Sequence, residues 1–209
     1  MLIIFAALII FILFMKNKEI QEARMKGYFI EATKELIKGE GLKSLSVRSI
    51  ADKAGYSFAT IYNYFRDVND LVFLCVIDFQ KECEEAVKQK TAHIEVGKEK
   101  LKAKIFAWAG YFVEYPGIFE VYYLAKSGEL GHRQSTIELI TNSLNLVIED
   151  EWNFIKETNP NNYEVFEQKK NALQYQVIGI LLLYLNRNFP SDYSEFERLL
   201  KYSVDGLFE

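Results

Sequence analysis

Apolar residues recur every three or four positions through most of the chain, and that spacing predicts helices. Met25, Phe29, Ala32 and Leu36 share one face of a helix that runs from Lys18 until Gly39 and Gly41 end it. Ser46, as an N-cap, opens a second helix of about two turns with Val47, Ile50, Ala51 and Ala54 inward and Gly55 as its stop. Ser57 caps a third short helix whose inward residues are Ile61 and Phe65, with Arg66 and Asp67 forming the exit. Asp67 and Asp70 stand at the spacing of a variant capping box, launching a longer helix to about Lys90. After a connection at 91–97, the stripe Leu101, Ile105, Trp108 and Phe112 marks a helix that Tyr115-Pro116-Gly117 breaks. A short helix at 118–126 and a Gly128 to Gly131 turn follow. Long helices at about 132–157, 163–188 and 192–207, separated by Asn159-Pro160-Asn161 and by Pro190, bring the expected number to nine.

Composition agrees with an all-α class. Three prolines and eleven glycines punctuate 209 residues, of which half are apolar and 26% charged, enough to bury a proper core. No internal repeat, low-complexity tract or βαβ alternation is present, so doubly wound sheets are disfavoured. Cys75 and Cys83 lie eight residues apart in a helical stretch, about 12 Å of rise, too far to pair within that helix. His93 and His132 have no Cys or His at ligand spacing, so neither zinc nor another metal or cofactor is expected, and a reducing cytoplasm fits best.

Charge divides the chain. The net charge is −4, yet residues 16–66 carry 10 Lys/Arg against 6 Asp/Glu, whereas residues 67–209 carry 15 against 23. A mildly basic head ahead of an acidic body is the expected arrangement if only the head meets a phosphate backbone.

Three helices with a tight glycine turn between the second and third fit a helix-turn-helix, whose third helix enters the major groove. With Ile61 and Phe65 inward, helical geometry turns Phe58, Ala59, Thr60, Asn63 and Tyr64 outward. Tyr and Thr hydroxyls can bond phosphate oxygens, and the helix N-termini at Ser46 and Ser57 offer backbone N–H groups. The run Ser46-Val47-Arg48-Ser49-Ile50-Ala51-Asp52-Lys53-Ala54-Gly55-Tyr56-Ser57-Phe58-Ala59-Thr60-Ile61-Tyr62-Asn63-Tyr64-Phe65 closely resembles the TetR family of bacterial repressors. The resemblance covers residues 25–75; beyond them the chain is similar in length and helix order only. It implies phosphate or base contacts from Thr60, Tyr62 and Tyr64, and a DNA contact from Arg48 on the second helix. Ser46, Ser57, Phe58, Ala59, Asn63 and Arg66 complete the expected DNA-binding set. Val68 departs from the family, which usually has a lysine there; Arg66 stands two residues earlier and can supply the charge.

The resemblance also implies a helical ligand-binding and dimerising body at 67–209 behind a helix-turn-helix domain at 16–66. Trp108, Tyr111, Phe112, Tyr115, Phe119, Tyr122 and Tyr123 crowd into sixteen residues where the family binds its inducers. Ordinary core packing accounts for any one of them; several carry a polar handle, which suits a mixed pocket for an aromatic or amphipathic small molecule. Residues 177–185 are apolar almost all round, so that helix is either the centre of the core or faces a second subunit. The resemblance favours a homodimer through the last two long helices. The expected function is thus a repressor that a small-molecule inducer releases from a double-stranded DNA operator.

An enzyme is disfavoured, since there is no phosphate-cradling glycine loop and no paired nucleophile and base. Residues 1–15 form an uninterrupted apolar run of about 22 Å as a helix, short of a hydrocarbon core of roughly 30 Å. Three readings stay open for it: translation beginning at Met15, an anchor holding the head at the inner face of the membrane, or a helix packed on its own protein or a partner.

Overall fold

The computed structural model describes residues 2–125, 134–158 and 163–208, with 2–15 and 163 described by backbone only. Among the described residues the secondary structure is helical throughout, with no strand. The expected Gly128 to Gly131 turn, His132 and the Asn159-Pro160-Asn161 break lie outside them.

The first helix, α1, spans Leu2–Glu40, so the N-terminal apolar run continues without interruption into the helix expected from Lys18. No helix among the described residues is long and apolar enough to cross a membrane. α1 ends where Gly41 takes a φ of +77°, a left-handed conformation that favours glycine. After a single 3-10 turn at Leu42–Ser44 come α2 (Val47–Ala54) and α3 (Phe58–Ile61). Phe29, Ala32, Leu36, Ile50, Ala51, Ile61, Phe65 and Leu71 bury a small core between these three helices and the start of α4.

The larger core belongs to α4 (Val68–Thr91), α5 (Lys98–Glu114), α6 (Pro116–Phe119), α7 (Gln134–Thr141), α8 (Ser143–Thr158), α9 (Tyr163–Arg187) and α10 (Tyr193–Asp205). α5 lies at its centre, against α4, α8, α9 and α10. Its stripe Leu101, Ile105, Trp108 and Phe112 is fully buried, as its spacing required. Cys75 and Cys83 are buried, unpaired thiols whose ionisation burial makes harder, pushing Cys83 up to about 12.

Three boundaries differ from expectation. The helix expected at 132–157 is divided at Asn142 into α7 and α8, although the Asn142 N–H still donates to the Glu138 carbonyl at 3.0 Å and its own carbonyl accepts from the Leu146 N–H at 2.9 Å. The helix expected from residue 118 begins at Pro116, whose fixed φ suits a first helical position, and then widens into a π-helical segment at Glu120–Leu124. The third helix stops at Ile61; hydrogen-bonded turns carry the chain on to Phe65, whose N–H still donates to the Ile61 carbonyl at 2.9 Å.

Candidate nucleic-acid interface

The α2–α3 corner is built by local chemistry. The Ser46 hydroxyl accepts from the Ser49 N–H at 3.0 Å while the Ser49 hydroxyl accepts from the Ser46 N–H at 2.9 Å, a reciprocal cap. At the other end Gly55 is left-handed, and the Tyr56 N–H reaches back to the Ala51 carbonyl at 2.9 Å, closing a Schellman-type stop. That stop fixes the angle at which α3 leaves α2.

Ser57 holds the N-cap position of α3, but its hydroxyl shares a 2.9 Å hydrogen bond with the Thr60 hydroxyl rather than capping a backbone N–H. This corrects the expected cap: a four-residue helix offers the side chain of its own third residue as the nearer partner. Ile61 and Phe65 point inward as expected. Arg48, Ser57, Phe58, Ala59, Tyr62, Asn63 and Arg66 are exposed, and Phe58 and Tyr62 present more than half of their surface to solvent. Thr60 and Tyr64 are half-buried, and the Tyr64 ring lies 6.2 Å from that of Phe29, so Tyr64 is turned further inward than helical spacing implies. Because α3 gives way to turns after Ile61, residue 64 no longer sits on the outer face of an extended helix.

Val68, standing where the resemblance leads one to expect lysine, is half-buried and packs against both cores. The departure therefore serves the seam between head and body. Two exposed tyrosines escaped the sequence reading: Tyr28 and Tyr56 stack at 6.1 Å beside the corner. Their only sequence signal is adjacency to Phe29 and Gly55.

Head and body are joined by ion pairs. Lys34 on α1, itself buried, meets Glu82 of α4 at 2.7 Å, and Lys38 meets the same carboxylate at 2.6 Å. Burial alone would lower the Lys34 ammonium, but hydrogen bonds to Glu82 and Glu31 outweigh it and raise it to about 12. Burial likewise pushes Glu82 up, and the two lysines more than reverse it, holding the carboxyl below its ordinary range.

The seven aromatics expected to hold a ligand separate into three groups. Trp108, Phe112 and Phe119 are fully buried and pack on one another, with Trp108–Phe112 ring centres 4.8 Å apart and Phe112–Phe119 5.7 Å apart. The Trp108 indole N–H donates to the Ser143 hydroxyl at 3.2 Å, which donates to Gln80 at 2.6 Å. Tyr122 and Tyr123 instead line a cavity of about 470 Å³ with Ala125, Ile137, Ile140, Thr141, Gln174, Tyr175 and Ile178. Tyr111 and Tyr115 line a separate cleft of about 310 Å³ beside Lys38 and Glu82. The Tyr122 hydroxyl donates to the Val76 carbonyl of α4 at 3.1 Å, and burial raises its pKa well above the ordinary phenol value.

On α9 and α10, Tyr175, Leu182, Leu183, Leu199 and Tyr202 are exposed. A Cβ added at Gly179 would meet nothing within 4 Å.

Residues 29–74 match the family described as bacterial regulatory proteins, tetR family. The fold is similar to that of a TetR family transcription regulator from Marinobacter aquaeolei VT8, with 17% identity and a TM-score of 0.58 over 91% of this chain and 97% of that one. A protein assigned to the same family from Mesorhizobium loti MAFF303099 aligns with 17% identity and a TM-score of 0.61 over 89% and 96% of the two chains. A third, from Vibrio parahaemolyticus, gives 20% identity and a TM-score of 0.56 over 86% and 96%. No curated protein matches the chain. The resemblance seen at 46–65 thus holds for the head by family match and for the remainder by fold.

Proposed function

We propose that this chain, whose head matches the bacterial regulatory proteins of the tetR family, is a homodimeric, cytoplasmic transcriptional repressor that a small-molecule inducer releases from its DNA operator. The observation that carries the reading is the exposed face of α3 and its following turns, presented at a fixed angle by the Gly55 stop. In this reading residues 16–66 dock the α3 segment in the major groove. Arg48, Ser57, Thr60, Tyr62, Tyr64 and Arg66 hold phosphates, while Asn63 suits an adenine edge and the apolar surfaces of Phe58 and Ala59 suit a thymine methyl. Ser46 acts through its cap, since its hydroxyl is already engaged by Ser49.

Residues 67–209 sense and dimerise. The exposed apolar side chains of α9 and α10 support a four-helix interface, and the cavity beside Tyr122 and Tyr123 supports an inducer site. An inducer acts by favouring a body conformation in which the two heads no longer match the operator spacing.

Fluorescence anisotropy with the DNA flanking its own gene tests the reading. Sequence-specific binding is expected, with log affinity falling as log salt rises. Arg48→Ala should reduce that slope by about one, and Thr60→Ala with Tyr62→Ala should cost about tenfold or more. Unchanged affinity in the double variant would overturn the assignment of the DNA-reading segment.

A further inference from the structure

α3 and its following turns share their surface with a neighbour on α1. Tyr56 stands directly before Ser57, the N-cap of α3, and so lies at the end of that helix whose residues enter the groove in a helix-turn-helix. Its ring stacks on that of Tyr28, 6.1 Å away and inclined by 28°, and both rings are exposed, Tyr28 by 53%. Phe29, the next residue of α1, lies 5.5 Å from the Tyr56 ring and 6.2 Å from the Tyr64 ring. α1 therefore underlies both ends of the segment, and Tyr28 emerges at the Tyr56 end.

Three observations give this spot its chemistry. Neither tyrosine hydroxyl has a hydrogen-bond partner among the described residues, although the rings themselves are held by stacking. A phenol fixed by its ring with its O–H free is a ready donor to a phosphate oxygen. Arg24 lies four residues before Tyr28, on the same face of α1 and about 6 Å along its axis. It is exposed and forms no ion pair among the described residues. The carboxylates further along that face are engaged: Glu31 pairs with Lys34 at 3.0 Å and Glu35 with Lys53 at 2.9 Å. Residues 16–24 of α1 are exposed throughout, so no other part of the described chain covers the strip. Docking α3 in a major groove sets Tyr56 beside the backbone that walls the groove, and Tyr28 and Arg24 continue that surface away from the bases. A guanidinium and two phenols with their donors free are the groups that bond phosphate oxygens.

We propose that Arg24 and Tyr28 of α1, with Tyr56, form a second phosphate-gripping strip that holds duplex DNA flanking the base pairs read by α3. This rests on the DNA-binding reading above and adds a contact surface outside the helix-turn-helix. The strip carries no sequence information, since phosphates are alike at every step. It contributes affinity and lengthens the bound site.

Hydroxyl-radical footprinting and fluorescence anisotropy of the full chain on the DNA flanking its own gene provide the test. The native chain should protect backbone positions on the outer side of each recognised half-site. Arg24→Ala with Tyr28→Ala should expose those outer positions while the inner ones stay protected. Arg24→Ala alone should reduce the slope of log affinity against log salt by about one for each head bound. Tyr28→Phe keeps the stack and removes only the O–H; it should weaken binding about threefold or more with the slope unchanged, because no charge is lost. A duplex trimmed to the inner positions controls for folding: on it the variants should bind as the native chain does, which a chain damaged in its fold would not. An unchanged slope in Arg24→Ala, full affinity in Tyr28→Phe, an outer footprint that survives the double variant, or equal losses on the long and trimmed duplexes would each overturn the strip. The two readings fail differently. Specific binding by the native chain together with any of these results removes the strip and leaves the repressor reading standing. A native chain with no preference for this DNA over unrelated duplex removes the repressor reading and the strip with it.

Discussion

Glu120 accepts a hydrogen bond from the Leu42 backbone N–H at 3.1 Å, tying the π-helical segment of the body to the turn that leaves α1. Gly41 makes room for it, since a Cβ there would come within 2.7 Å of the same carboxylate oxygen. Glu120→Ala removes this side-chain acceptor while leaving the described cavity lining intact. The expected loss of stability is about 1 kcal/mol. The larger expected effect is on coupling: ligand binding should persist while the ligand-induced change in operator affinity shrinks. Anisotropy with and without an inducer measures it, and an unaltered response would show that the head is driven through other contacts, those of α4 and α6 with α1 among them.

Gly117 makes a closer approach. A Cβ there would lie 1.9 Å from the Ile37 carbonyl oxygen, a contact no side chain can occupy without moving backbone. Gly117→Ala should force α6 off α1 and cost about 1–3 kcal/mol, as overpacking typically does. Urea unfolding checks the magnitude, and an alanine variant as stable as the native chain would mean that α6 can shift freely against the head.

Neither contact was legible in the sequence, whereas the α2–α3 corner was. The corner depends on residues within a few positions of one another: Ser46 with Ser49, and Gly55 with the Ala51 carbonyl. Glu120 and Leu42 stand 78 residues apart, and nothing local to Glu120 distinguishes it from a solvated helix residue. The aromatic stripe shows the same limit. Trp108 and Phe112 needed burial and have it, but helical spacing is identical for a residue that fills the core and one that borders a cavity, so only the tertiary arrangement separates them from Tyr122 and Tyr123. The division at Asn142 gave no signal because neither glycine nor proline marks it.

The Lys34–Glu82–Lys38 cluster should make stability pH-dependent at the acid end. Glu82 is held below its ordinary value of 4.5 in the folded chain, so its contribution is present above that value and is lost as pH falls through the folded one. Lys34 is raised from 10.5 to about 12, so its contribution is present below 10.5 and is lost only as pH rises through about 12. Glu82→Gln should therefore be less stable than the native chain by a constant margin from pH 6 to 9, roughly the window between these two losses. The margin should close on acidification below pH 4, again roughly. Thermal melts across that series check it; a margin that did not close in acid would assign the loss to packing.

Gly179 separates the stability of one chain from that of a dimer. Its Cβ position is open in the single chain, and replacing a helical glycine removes an entropic cost of about 1 kcal/mol. Gly179→Leu should thus leave each subunit folded, with full helical content. If α9 and α10 form the interface, helices meeting near Gly179 would gain a bulky side chain where close approach is needed, in the neighbourhood of Tyr175, Leu182 and Leu183. The expected outcome is a shift from a particle of twice 24.4 kDa towards the single chain, measured by light scattering at micromolar concentration. Operator affinity should fall with it, because two heads on one body bind two half-sites together and separate heads do not. A variant that remains dimeric would move the interface away from the centre of α9, while a native chain that scatters as a single subunit would remove the interface altogether.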